Sequence, residues 1–171
     1  MVKDGKTAAV VIGLAAATIG LIYATKAKAA PPEEGGVTIV IYDEWGNPVP
    51  TNSPAILTEG ARYTMVVTVT NMTTKATEPP TPWEATLTIS VSASVGGLGI
   101  MTPSVKAEYF AAGQTRAFSY ALSVPLGYGG LIGSAVALVK DPTGVTLDSA
   151  TEPITVTEIP IDYGAGIVIG V

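Results

Sequence analysis

From residue 84 to residue 94 apolar and polar side chains alternate without a break. Ala85, Leu87, Ile89, Val91 and Ala93 fall on one side, and Glu84, Thr86, Thr88, Ser90, Ser92 and Ser94 on the other. A period of two suits a strand with one buried face, and no helix gathers such a set onto one side. The alternation returns in Tyr63, Met65, Val67 and Val69 against Thr64, Thr68 and Thr70. It returns again in Phe118, Tyr120, Leu122 and Val124 against Ser119, Ala121 and Ser123. Residues 37–42, 105–110, 134–140 and 154–159 read as further strands, rich in the β-branched side chains that suit a pleated surface. Turn chemistry separates them: Trp45-Gly46-Asn47-Pro48, Glu59-Gly60, Ala112-Gly113, Gly127 to Gly130 and Asp141-Pro142-Thr143-Gly144. Pro79, Pro80 and Pro82 mark a bend before the long strand. Seven or more short strands over residues 37–171 predict an all-β domain, an Ig-like Greek-key β-sandwich.

Upstream the pattern changes. Thr7 to Thr25 is a run of 19 uncharged residues between Lys3 and Lys6 on one side and Lys26 and Lys28 on the other. About 20 helical residues cross a bilayer core, so residues 1–28 are expected to form a single N-terminal hydrophobic, transmembrane helix. Tyr23 sits where an aromatic ring settles at the interface. The competing expectation is a cleaved secretory signal peptide, since Ala27-Lys28-Ala29 matches an A-x-A cleavage site. Against it stand the length of the apolar run and the two lysines inside the cleavage region. Ala9, Gly13 and Ala17 lie four apart, as do Ala16, Gly20 and Ala24, a spacing of small residues that lets two helices approach closely. Paired lysines on both flanks give no orientation. Ala29 to Gly36, AAPPEEGG, reads as a Pro/Gly linker.

Composition sharpens this division. Charged residues are 13% of the chain, against about 25% in an ordinary soluble domain. The whole chain carries a net charge of −5. Residues 1–29 take four of its nine basic side chains and one of its fourteen acidic ones, so the remainder carries −8. The acidity therefore belongs to the β domain, and a basic nucleic-acid footprint is not expected.

Several stretches resemble the Ig-like, CARDB-like modules of prokaryotic and viral surface proteins. Tyr63-Thr64-Met65-Val66-Val67-Thr68-Val69-Thr70-Asn71 is a strand ending in a polar turn. Ala111-Ala112-Gly113-Gln114-Thr115-Arg116 leads into Phe118-Ser119-Tyr120, and that strand ends at Val124-Pro125. Val40-Ile41-Tyr42-Asp43 followed by Gly46-Asn47-Pro48-Val49 is similar to their opening hairpin. The resemblance covers residues 37–159 and implies adhesion or structural spacing rather than catalysis. The order of anchor, Pro linker and small β module is similar to small phage and archaeal virion or cell-surface proteins.

The chain has no Cys and no His. Disulfides, thiolate nucleophiles, His bases and Cys/His zinc sites are thereby excluded. Asp43, Glu44, Asp141, Asp148 and Glu152 are the carboxylates that a glycosidase pair or a calcium site would draw on. All read more simply as turn and strand-end residues, and no cofactor or metal is expected. Gly96-Gly97-Leu98-Gly99 leads to no helix and is not a phosphate loop. Asn71-Met72-Thr73 is an N-glycosylation sequon in an expected surface turn. Trp45 and Trp83, with Tyr42 and Tyr128, are candidates for an aromatic glycan platform or for plugs at the end of the core.

After Pro160 the chain runs through Ile167, Val168 and Ile169, apolar and unguarded by charge. Such a strand either closes its own sheet or adds to a neighbour. The expectation is a non-enzymatic structural subunit, membrane-anchored on a virion or an extracellular surface. Its expected partners are a membrane or helix bundle and other subunits. An exported adhesin or carbohydrate-binding module is the alternative.

Overall fold

The computed structural model describes residues 36–50 and 54–159. The expected helix of residues 1–28, its packing positions Ala9, Gly13, Ala17, Gly20 and Ala24, and the strand-addition candidates Ile167, Val168 and Ile169 lie outside the described residues. Among the described residues there is no helix, and none long and apolar enough to cross a membrane.

The strands are β1 (Val37–Tyr42), β2 (Ala55–Thr58), β3 (Arg62–Thr70), β4 (Thr74–Lys75), β5 (Thr81–Pro82), β6 (Ala85–Val95), β7 (Leu98–Gly99), β8 (Ser104–Phe110), β9 (Thr115–Ser123), β10 (Ile132–Lys140) and β11 (Thr146–Thr157). They build two sheets. The smaller has the order β1-β3-β9. The larger has the order β2-β11-β10-β6, with β7 and β8 both paired to the far side of β6. All pairings are antiparallel except β2 on β11. The minor β4–β5 pair forms a separate ribbon around the cis Glu78–Pro79 bond. The chain crosses between the sheets from β1 to β2, β2 to β3, β8 to β9 and β9 to β10, whereas β6 to β8 and the β10–β11 hairpin stay within the larger sheet.

One apolar core fills the space between the sheets. Met65, Val67 and Val69 of β3 and Ile41 of β1 face Leu87 and Ile89 of β6 and Ile154 of β11, all at most 1% exposed. Each such side chain contributes about 1.5–3 kcal/mol on burial. Gly133 holds β10 close to β6, because a Cβ there would collide with the Ser94 carbonyl and lie 2.6 Å from the Val95 Cα.

The strands expected from alternation are all present: β1 has the expected bounds, β3, β8, β9 and β10 start earlier than expected, and β9 and β11 end earlier, at Ser123 and Thr157. β11 is longer than expected, starting at Thr146 rather than Ile154. β2 and the two-residue strands were not expected at all.

The two ends of the described domain lie at opposite ends of the sandwich. The Val37 amide donates to Asp148 Oδ2 at 2.9 Å, beside the β10–β11 hairpin. The Ile159 amide reaches Glu59 Oε1, just past the end of β11. Asp148 and Thr157 are nine residue steps apart along β11, about 30 Å. We call these the entry end and the exit end.

Candidate functional site

Asn71 is the sequon residue, and the expectation of a surface turn is corrected: it is 2% exposed. Its Nδ2 donates to the carbonyls of Trp83 (2.8 Å) and Ala111 (3.0 Å). Its Oδ1 accepts from the Thr73 amide and hydroxyl at 3.0 and 2.6 Å. Both amide hydrogens are thus committed to backbone carbonyls, and the side chain ties three loops together at the entry end. The Asn-x-Thr spacing serves an internal Asx turn.

Trp45 and Trp83 are both exposed, at 70% and 46%, so neither plugs the core. They do not form one platform. Trp45 follows β1 at the exit end, where Tyr42 pairs with Thr64. Trp83 pairs with Thr73 beyond the other end of β3. The nine residues of β3 between them span about 30 Å. Trp83 carries the Lys75 ammonium over its ring, 4.3 Å from the centroid. It also lines an open groove of about 400 Å³ with Met72, Glu84, Asp141 and Leu147.

The carboxylates are not gathered. Asp43 accepts the amides of Trp45 and Asn47 and closes the exit-end turn. Asp141 does the same for Thr143 and Val145 in the entry-end hairpin; the Thr143 hydroxyl and these amides hold it below the usual carboxylate range. Asp148 and Glu152 share the inward face of β11 four residues apart, about 13 Å along a strand. That exceeds the roughly 5–9.5 Å of a glycosidase pair. Glu44 borders a second open groove with Arg62 and Tyr63. Among the described residues no three metal-ligating side chains cluster.

Two carboxyl groups that sequence did not single out, or misplaced, differ sharply. Glu59 Oε2 accepts the amides of Gly127 (2.7 Å) and Gly129 (3.1 Å). These bonds, Gly129's foremost, hold its carboxyl below the usual range. Glu152 Oε1 is buried without a hydrogen-bond partner among the described residues, and burial pushes its carboxyl up.

The broadest surface feature is the outward face of the larger sheet. β10 lies at its centre, and Val136 sits between Ser92 of β6 and Thr151 of β11. Leu138 next to it sits between Ser90 and Ser149. Around this apolar row the outward side chains of β6 and β11 are Thr and Ser, with Pro153 and, towards the entry end, Leu147. Among the described residues the charged side chains on this face are Lys140 and Glu84, both at the entry end, and Glu84 accepts from the Tyr109 hydroxyl. Sequence alone marked β10 as a strand but not its faces, because Ala135, Ala137 and Val139 inward are as apolar as Val136 and Leu138 outward.

No family model matches the chain, and no curated protein matches it. Among solved structures it is similar to the C-terminal domain of wzt, at 16% identity and a TM-score of 0.46, over 84% of this chain and 89% of that one. It is also similar to Bacteroides uniformis beta-glucuronidase 2, at 15% identity and 0.43, over 71% of this chain and 13% of the enzyme. A third likeness is to the Pseudomonas fluorescens alkylpurine DNA glycosylase AlkC, at 18% and 0.33, over 71% and 31%. These likenesses assign no activity to the chain.

Proposed function

We propose that the chain is a non-enzymatic structural subunit. Its hydrophobic N-terminal run anchors it in a membrane, and an Ig-like sandwich displays its surfaces on a virion or cell-surface assembly. The strand order supports the Ig-like reading: three strands β1-β3-β9 face a sheet ordered β2-β11-β10-β6-β8, with crossovers between them. The observation that carries the functional reading is the opposed placement of Val37 and Ile159. A chain entering at one end of a rigid sandwich and leaving at the other holds its exit end away from whatever grips the upstream run. The carboxylates fit this role, since they brace turns and strand starts instead of converging.

The test is extraction of native membranes or particles at alkaline pH, with mass determination of the N-terminus. An anchored subunit stays in the pellet and retains residues 1–28, and deletion of those residues releases it. A mature chain starting near Ala30 and found in the supernatant overturns the anchor and favours the exported binding module. That second reading draws its support from the groove beside Trp83.

A further inference from the structure

We propose that the outward face of the larger sheet docks on the same face of a second copy of this chain. This names the partner within the assembly reading and rests on it for bringing copies together.

Beyond residue 29 the chain carries −8, so copies repel wherever their acidic groups meet. The described acidic groups lie in turns, at the two ends, or on inward strand positions such as Asp148 and Glu152. On the outward face of the larger sheet the acidic group is Glu84, at the entry end, where it accepts from Tyr109 of β8 and lies at the same end as Lys140. The face thus carries one acidic and one basic group, both at one end, and the rest of it meets a second copy of itself without like-charge opposition.

The chemistry of the face is also matched to itself. Thr and Ser hydroxyls both donate and accept, so Ser90, Ser92 and Thr151 can pair with the same groups in a symmetry mate. Val136 and Leu138 then supply an apolar centre inside a hydroxyl rim, the usual anatomy of an interface. Val105 and Ile132, 70% and 72% exposed, stand on outward positions of β8 and β10 and would be covered.

The size suffices. Five strands at about 4.8 Å and a nine-residue β10 at about 3.3 Å per residue give a face of roughly 24 by 30 Å, about 700 Å². A standard stable interface takes about 800 Å² from each partner. The competing contact, strand addition at the β8 edge, is opposed by Lys106 and Glu108, charged side chains on the inward positions of that edge strand.

Because the chain has no Cys, single cysteines report position without background. Ser92→Cys and Thr151→Cys test the face, Ser119→Cys tests the outward side of the smaller sheet, and Leu126→Cys tests the exit end. Each full-length variant, in its membrane, is treated with a short bismaleimide cross-linker. The expected result is a cross-linked dimer for Ser92→Cys and Thr151→Cys, at least tenfold more than for Ser119→Cys or Leu126→Cys. Adding Val136→Lys, at an outward position that leaves the core untouched, should reduce that dimer at least tenfold. Equal cross-linking at Ser119 or Leu126, or a dimer insensitive to Val136→Lys, overturns the proposal. Lost cross-linking with the chain still in the membrane sinks the face and spares the anchor. Retained cross-linking with the chain released sinks the anchor and spares the face.

Discussion

The Asn71 side chain donates to the backbone carbonyl of Trp83, twelve residues on, at 2.8 Å. That bond joins the end of β3 to the start of β6, and so joins the two sheets. Its second donor takes the Ala111 carbonyl in the β8–β9 turn. Replacing Asn71 by Ala strips these carbonyls, and the Thr73 groups, of a buried partner. Each buried group left unpaired costs about 1–3 kcal/mol. Asn71→Ala is therefore expected to destabilise the domain by about 3 kcal/mol in chemical denaturation. Expression in a glycosylating host should leave Asn71 of the folded domain unmodified, as intact mass would show. A glycan on the folded protein would contradict the burial.

Gly133 offers a second, independent test of the sheet geometry. A Cβ at this position meets the Ser94 carbonyl and the Val95 backbone of the neighbouring strand, groups that cannot turn aside as a side chain would. Gly133→Ala should force β10 away from β6 and cost at least about 2 kcal/mol. Gly144→Ala, in an open turn with φ of 88° and nothing within reach of its Cβ, should cost about 1 kcal/mol. Thermal melts of the two variants should rank in that order.

Only part of this geometry is legible in the sequence. β3, β6 and β9 were legible because each has one wet and one dry face, which writes a period of two into the residues. β11 was half hidden. Its inward positions include Asp148, which holds the Val37 amide, and Glu152, so the apolar side of the strand reads as broken. β2 hid because four residues before Glu59-Gly60 carry too little pattern, and its partner is the half-hidden strand. Asn71 misled for a physical reason: the same side chain that favours a turn at the surface satisfies carbonyls inside one, and only the distant Trp83 and Ala111 decide between them. The outward face of the larger sheet was not legible, since its centre, Val136 and Leu138, differs from the inward side of β10 only through register with β6.

Trp45 and Trp83 stand at opposite ends of β3, and the consequence is measurable. Residues that share no partner and lie more than about 10 Å apart contribute additively, within about 0.5 kcal/mol. Trp45→Ala and Trp83→Ala should add in a double-mutant cycle, both for stability and for any glycan bound to an array. Trp83→Ala alone removes the ring under the Lys75 ammonium, a contact of about 0.5–1 kcal/mol at an exposed site. Coupling above about 1 kcal/mol between the two tryptophans would require them to meet, against their positions in the fold.

The Glu59 and Glu152 carboxyls should make opposite contributions to stability as pH changes. Glu59 is held below its ordinary pKa of 4.5 by amides of the Gly127–Gly129 loop. The folded state therefore favours the carboxylate. Its contribution is present above the unfolded pKa and is lost as pH falls through the lowered folded value. Glu152 is pushed above its ordinary 4.5 by burial. Its contribution is present below the unfolded pKa and is lost as pH rises through the raised folded value. Glu59→Gln should therefore lower stability at pH 7 and change little at about pH 2, where the wild-type carboxyl is protonated too. Glu152→Gln should raise stability at pH 7, by removing a charge that burial opposes, and that gain should vanish at about pH 2. Denaturation midpoints of the two variants against wild type, taken at several pH values, would test both signs at once. A Glu152→Gln variant less stable than wild type at pH 7 would mean that the Ala55 amide, which bonds the carboxylate, outweighs its burial.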